Sequence, residues 1–178
     1  MATRAWFAWI VLLGTTATTY AQWRENGTPV ADTSWRKAWG TSGAMLLLTD
    51  KPNEFFAAWE QPGTGVPMST TEVAKRGDSI VGVVLFSGCA ANVTGVCEAE
   101  VEFQVFRPDG SPYNAAEKTE LWSGKPPPAE GQLQLSVGAI GVRIEPTDPS
   151  GIYTVRARVV DIVSRAEVEL TRTFSVVP

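Results

Sequence analysis

From Pro67 to the end of the chain, apolar residues recur at every second position, and this period admits strands and excludes amphipathic helices. Val101, Phe103 and Val105 alternate with Glu100, Glu102 and Gln104; Tyr153, Val155, Ala157 and Val159 alternate with Thr154, Arg156 and Arg158. Val168, Leu170, Phe174 and Val176 share a face against Glu167, Glu169, Thr171, Thr173 and Ser175. Each pattern predicts a strand with one buried and one wet face. Arg172 falls on the apolar side, which predicts a bulge or a strand end beside it. Asp78 to Phe86 is almost wholly apolar and reads as a central strand. Further strands are expected at Ser69–Val73, at Glu120–Trp122, and on either side of Gly138, over 132–137 and 139–144. The total is about seven or eight strands in a mainly β, antiparallel sandwich.

Helical spacing occurs once, where Phe55, Phe56 and Trp59 share a face over 51–60, after the short apolar strand Ala44–Leu48. Thr49 and Asp50 offer N-cap oxygens there, and Pro52 suits the first turn. Residues 22–43 are polar and irregular, broken only by Trp23, Trp35 and Trp39. Trp35 and Trp39 stand four apart, so one helical turn would bring them together. These rings either cover an open edge of the core or form an exposed platform for a ligand. The expected organisation is a signal segment over 1–21, an irregular Trp-bearing segment over 22–43, and one β domain over 44–178.

The signal rests on Arg4 followed by ten apolar residues, Ala5 to Gly14, and small residues before Gln22. A run of ten is too short to span a bilayer, which needs about 20. Cleavage there predicts a periplasmic or secreted protein with no membrane span. Without that segment, which holds Arg4 and no acid, 14 basic and 19 acidic side chains remain, a net charge of −5. Such a balance argues against a nucleic-acid partner, which would require clustered Lys and Arg.

The chain has no histidine. That removes the commonest general base, metal ligand and pH switch, so no catalytic residue, metal site or cofactor is assigned. Its two cysteines, Cys89 and Cys97, enclose a small-residue loop. In an exported chain they predict a structural disulfide contributing about 2.5 kcal/mol in the chain-entropy model. Asn92-Val93-Thr94, inside that loop, and Asn26-Gly27-Thr28 fit the N-glycosylation pattern; both are treated as chance matches, the former hinting that its loop is exposed. Lys125-Pro126-Pro127-Pro128 reads as a stiff extended connection.

The stretch Asp148-Pro149-Ser150-Gly151-Ile152-Tyr153-Thr154-Val155 resembles the entry to the penultimate strand of immunoglobulin-like and fibronectin-like modules. The resemblance implies that Tyr153 hydrogen-bonds back to the backbone as a tyrosine corner. The final hairpin, Tyr153 to Val176, is similar to the closing pair of bacterial extracellular immunoglobulin-like domains. Phe103-Gln104-Val105-Phe106-Arg107-Pro108-Asp109-Gly110 resembles a strand-and-turn of macroglobulin-type repeats. Antibody domains staple opposite sheets with a cysteine pair, and Cys89 and Cys97 stand too close in sequence for that.

Three functions fit. The first is a non-enzymatic binding or scaffold module of the cell envelope, contacting a protein or glycan partner through loop 87–97, connection 123–130 or the Trp-bearing segment, with Asn92 among the candidates. The second is a carbohydrate-binding module using Trp23, Trp35, Trp39 and Trp122. The third is a hydrolase running on carboxylates alone, for which Glu98, Glu100, Glu167 and Glu169 are candidates and no pair stands out.

Overall fold

A computed structural model describes residues 23–25, 27–61 and 69–177, so the expected signal segment lies outside the described residues. The chain is mainly β. In order, it runs through strands β1 (Arg24–Glu25), β2 (Thr28–Pro29), β3 (Arg36–Trp39) and β4 (Ser42–Thr49), then helix α1 (Pro52–Trp59). Strands β5 (Val73–Lys75), β6 (Ser79–Ser87), β7 (Cys97–Phe106), β8 (Glu117–Lys125), β9 (Gln134–Arg143), β10 (Gly151–Asp161) and β11 (Ala166–Val177) follow. One sheet has the order β5-β11-β10-β7-β8 and a second β3-β4-β6-β9, with β1 and β2 forming a separate small ribbon.

The two large sheets bury one shared cluster. Leu46, Leu48, Val84, Phe86 and Ile140 enter it from the four-stranded sheet; Val101, Phe103, Val155, Leu170 and Phe174 enter from the five-stranded one. Strand β7 shows the clean alternation of a sheet with one wet face. Strand β6 is apolar throughout because it is buried twice. Ile80, Val84 and Phe86 face the shared core, while Val83 and Leu85 lie under α1 in a second cluster around Phe55. That helix buries Phe55 completely and leaves Phe56 and Trp59 half-buried over the same patch.

Several expectations need correction. The helix starts from Lys51 with no side-chain cap. Thr49 Oγ1 instead accepts the Lys51 N–H at 3.0 Å, one residue before the helix proper. Among the described residues of 22–43 not all are irregular, since pairing with β4 draws Arg36–Trp39 into a strand. Trp35 and Trp39 are therefore not brought together by a helical turn: Trp35 packs on the cluster under α1 and Trp39 on the shared core. The edge strand expected over 69–73 is β5, shifted to Val73–Lys75, and it pairs parallel to β11, so the five-stranded sheet is mixed.

The two strands expected around Gly138 are one. Val83 pairs with Ala139 and Leu85 with Leu135, so three residues of β9 face Val84 alone. Ser136, buried inside this bulge, accepts the Val84 N–H at 3.2 Å and donates to the Gly138 carbonyl at 2.6 Å. A side chain thus replaces the missing ladder bonds. Arg172 causes no bulge, because it pairs in register with Val155. Its guanidinium reaches across the seam between the sheets, donating to the Leu46 carbonyl at 3.5 Å and to Glu72 at 3.3 Å, under the Trp35 ring at 4.7 Å.

Candidate functional site

The antiparallel ladders set four connections at one end of the two sheets: turn 40–41, loop 88–96, connection 126–133 and turn 162–165. Cys89 and Cys97 are joined by a disulfide with Cα atoms 6.0 Å apart. The bridge closes the base of loop 88–96, and Cys97 itself is buried. Inside the loop, Asn92 Oδ1 accepts the Thr94 N–H at 2.9 Å, the Thr94 hydroxyl at 2.7 Å and the Val96 N–H at 3.2 Å. Gly88 is required where the loop meets turn 40–41: its φ is +71°, and a Cβ there would lie 2.8 Å from the Thr41 carbonyl oxygen.

Asp161 ties this loop to the neighbouring hairpin. The residue is 3% exposed. Its Oδ2 accepts the Ala90 N–H at 2.7 Å, and its Oδ1 accepts the Val163 and Ser164 N–H groups, each at 3.0 Å. An acid heading a tight hairpin signals an Asx turn, but the link to Ala90 is tertiary and leaves no local signal.

Connection 126–133 lies beside the same loop because Lys125 pairs with Cys97. Trp122 anchors it: the indole N–H donates to the Pro126 carbonyl at 3.0 Å, the ring meets Phe86 edge-on at 5.6 Å, and Lys125 Nζ sits 4.5 Å above it. Two of the three expected contact regions thus share one end. The Trp-bearing segment runs along the β3 edge instead. Trp23 packs on Gly43, whose added Cβ would lie 3.0 Å from the ring, and Trp35 lies between Arg36 at 5.2 Å and Arg172 at 4.7 Å. No tryptophan among the described residues is exposed.

What protrudes from the loop end is apolar. Val93 is fully exposed at the tip of loop 88–96, and Ile162 is half-exposed in the adjacent turn. Residues 88–96, 126–129 and 162–164 contain no charged side chain; Lys125, Glu130 and Arg165 flank them. Charge-poor centres with charged rims mark protein contact surfaces.

The opposite end is held by tyrosines. Tyr153 Oη donates to the Pro149 carbonyl at 3.0 Å, and its ring stacks on Phe174 at 5.3 Å. Tyr113 Oη lies 2.6 Å from Asp148 Oδ2 and 2.7 Å from the Arg143 carbonyl oxygen. Burial, reinforced by Asp148, pushes the Tyr113 hydroxyl up to about 12.

The acids considered for hydrolysis lie on the wet face of the five-stranded sheet, mostly beside bases. Glu100 is 3.6 Å from Lys118, Glu167 is 2.5 Å from Arg158, and Glu169 is 3.8 Å from Arg156. The Arg158 hydrogen bond holds the Glu167 carboxyl below its usual range, the reverse of what a proton donor needs. Among the described residues, no three His, Cys, Asp or Glu side chains converge on a common point, and no helix is long and apolar enough to cross a membrane.

No protein-family model matches the chain, and no curated protein matches its sequence. Among solved structures, the chain is similar to a family 123 glycoside hydrolase from Clostridium perfringens, with 11% identity and a TM-score of 0.43 over 77% of this chain and 27% of that one. It is also similar to a CARDB domain from Pyrococcus furiosus, with 15% identity and a TM-score of 0.34 over 60% of this chain and 81% of that one. A third similarity, to an alkylpurine DNA glycosylase from Pseudomonas fluorescens, has 15% identity and a TM-score of 0.39 over 60% of this chain and 28% of that one. The chain spans only about a quarter of the length of the glycoside hydrolase, and at these scores none of the three informs its function.

Proposed function

We propose that this protein is an exported, non-enzymatic binding module with an immunoglobulin-like sandwich as its scaffold, and that its disulfide-clasped loop end contacts a protein partner. The observation that carries this reading is the loop end itself: charge-poor, apolar at Val93 and Ile162, and held rigid by the disulfide, Asn92 and Asp161. A loop already ordered before contact loses little conformational entropy on binding. Two sheets around one core and the Tyr153–Pro149 bond support the scaffold assignment. The disulfide supports an oxidising compartment. The glycan alternative lacks the exposed indole it requires among the described residues.

The test places a photo-crosslinking amino acid at Val93 and, separately, at Glu54 on the outer side of α1, in protein expressed in its own host. A discrete heavier protein adduct is expected at Val93 and none at Glu54. No adduct at Val93, or equal adducts at both positions, counts against the reading.

A further inference from the structure

The wet face of the five-stranded sheet carries a second surface, away from the loop end. A groove of about 490 Å³ lies where β7 leaves the sheet beside β10 and β11, with Phe106, Pro108 and Ile152 as its apolar wall. Ile152 is 60% exposed at the start of β10, opposite Ser175 and just beyond the end of the β7 ladder. The wall is built in: Gly151 has φ +141°, and a Cβ there would lie 2.8 Å from Pro108 Cγ, so only glycine lets the proline lie against the start of β10.

Charge in the groove runs against the rest of the molecule. The chain carries a net −4, yet two guanidiniums, Arg107 and Arg156, and one carboxylate, Glu169, line this groove. Both arginines are positioned, and neither donates a hydrogen bond to a carboxylate, although Glu169 lies 3.8 Å from Arg156 and Asp109 feels the charge of Arg107. Arg156 Nη2 donates to Gln104 at 2.6 Å and its guanidinium lies 4.7 Å over Phe106, while its contact with Glu169, at 3.8 Å, is beyond a hydrogen bond. Arg107 Nη1 donates to the Pro112 carbonyl at 2.5 Å and its guanidinium lies 4.6 Å over Tyr113. Nε of each, with Nη1 of Arg156 and Nη2 of Arg107, has no hydrogen-bond acceptor among the described residues. Stacked, pre-oriented guanidiniums with free N–H donors suit a carboxylate.

We propose that this groove binds a peptide segment carrying a side-chain carboxylate next to a bulky apolar residue. The apolar side chain packs on Ile152 and Pro108, and the carboxylate receives the free N–H groups of Arg156 and Arg107. The inference does not depend on the role assigned to the loop end, which lies elsewhere on the molecule.

The test is a heteronuclear NMR titration of the folded protein with N-acetyl-Leu-Glu-amide and with its neutral isostere, N-acetyl-Leu-Gln-amide. The glutamate peptide is expected to shift amides near 106–110, 152–156 and 169–171 saturably, with an affinity about tenfold above that of the glutamine peptide. Arg156→Gln and Arg107→Gln should each bring the glutamate peptide close to the level of its isostere. Glu169→Gln removes the competing carboxylate and should tighten binding about threefold, a gain that misfolding cannot imitate. Equal binding of the two peptides, or no saturable shift with either, would overturn the proposal.

Discussion

Replacing Asp161 by alanine tests whether the loop end is held by design or merely by proximity. The substitution removes the acceptor of three backbone N–H groups, at 2.7 Å from Ala90 and 3.0 Å from both Val163 and Ser164. Each donor left without a partner costs about 1–3 kcal/mol when buried. Ser164 is exposed, and Val163 and Ala90 are both half-buried, so water replaces part of the loss, most of it at Ser164. The expected total is about 3 kcal/mol, or roughly 6–12 °C in Tm for a domain of this size. Urea unfolding at constant m-value measures the energy, and hydrogen exchange locates it at Ala90, Val163 and Ser164. Asp161→Asn keeps one acceptor oxygen and should lose about half as much. A loss under about 1 kcal/mol for the alanine variant, with exchange at Ala90 unchanged, would refute the argument.

Tyr153→Phe should cost about 1 kcal/mol, because it removes only the bond to the Pro149 carbonyl and keeps the stacking on Phe174; urea unfolding checks this. Tyr113 should give the fold an alkaline limit. Its folded pKa is raised to about 12 against an ordinary 10, so the unfolded chain loses that proton first and stability falls as pH rises from 10 to 12. The group is half-buried, which discounts the loss to about 1 kcal/mol, and pH-dependent melting of Tyr113→Phe should show a shallower slope, with Tyr153, whose hydroxyl burial also raises, supplying what remains. Gly138→Ala would place a Cβ 2.0 Å from Thr119 Cγ2 and should cost about 2 kcal/mol, with Thr119→Gly in the same chain recovering part of it in thermal melts.

Period-two alternation was enough to place β7, β10 and β11, because each has one face in the core and one in water. It failed where that simplicity ends. Residues 36–39 are polar in composition, yet β4 supplies a paired edge, so tertiary hydrogen bonding decides their conformation. Gly138 reads as a break, but Ser136 satisfies the backbone through the bulge and the strand continues. Arg172 reads as misplaced in an apolar row; its long stem crosses the seam to Leu46 and Glu72, a destination that periodicity does not encode. For the candidate site, the cysteine pair and the proline run were visible as loops. Their convergence at one end, and the acceptor role of Asp161, follow from strand pairing between distant segments. The groove at Arg107 and Arg156 was missed for the same reason, since Arg156 and Phe106 meet only across the ladder between β10 and β7.

The proposed binding role requires loop 88–96 to be ordered before any partner arrives. Amide hydrogen exchange on the isolated, oxidised protein measures this directly at Ala90, Asn92, Gly95 and Val96, whose N–H groups all have acceptors in the structure. Protection of at least about 100-fold over an unfolded peptide is expected at Ala90 and Val96, lost on reduction of Cys89–Cys97 while Val101 and Val155 in the core remain protected. Exchange at peptide-like rates in the oxidised protein would contradict it.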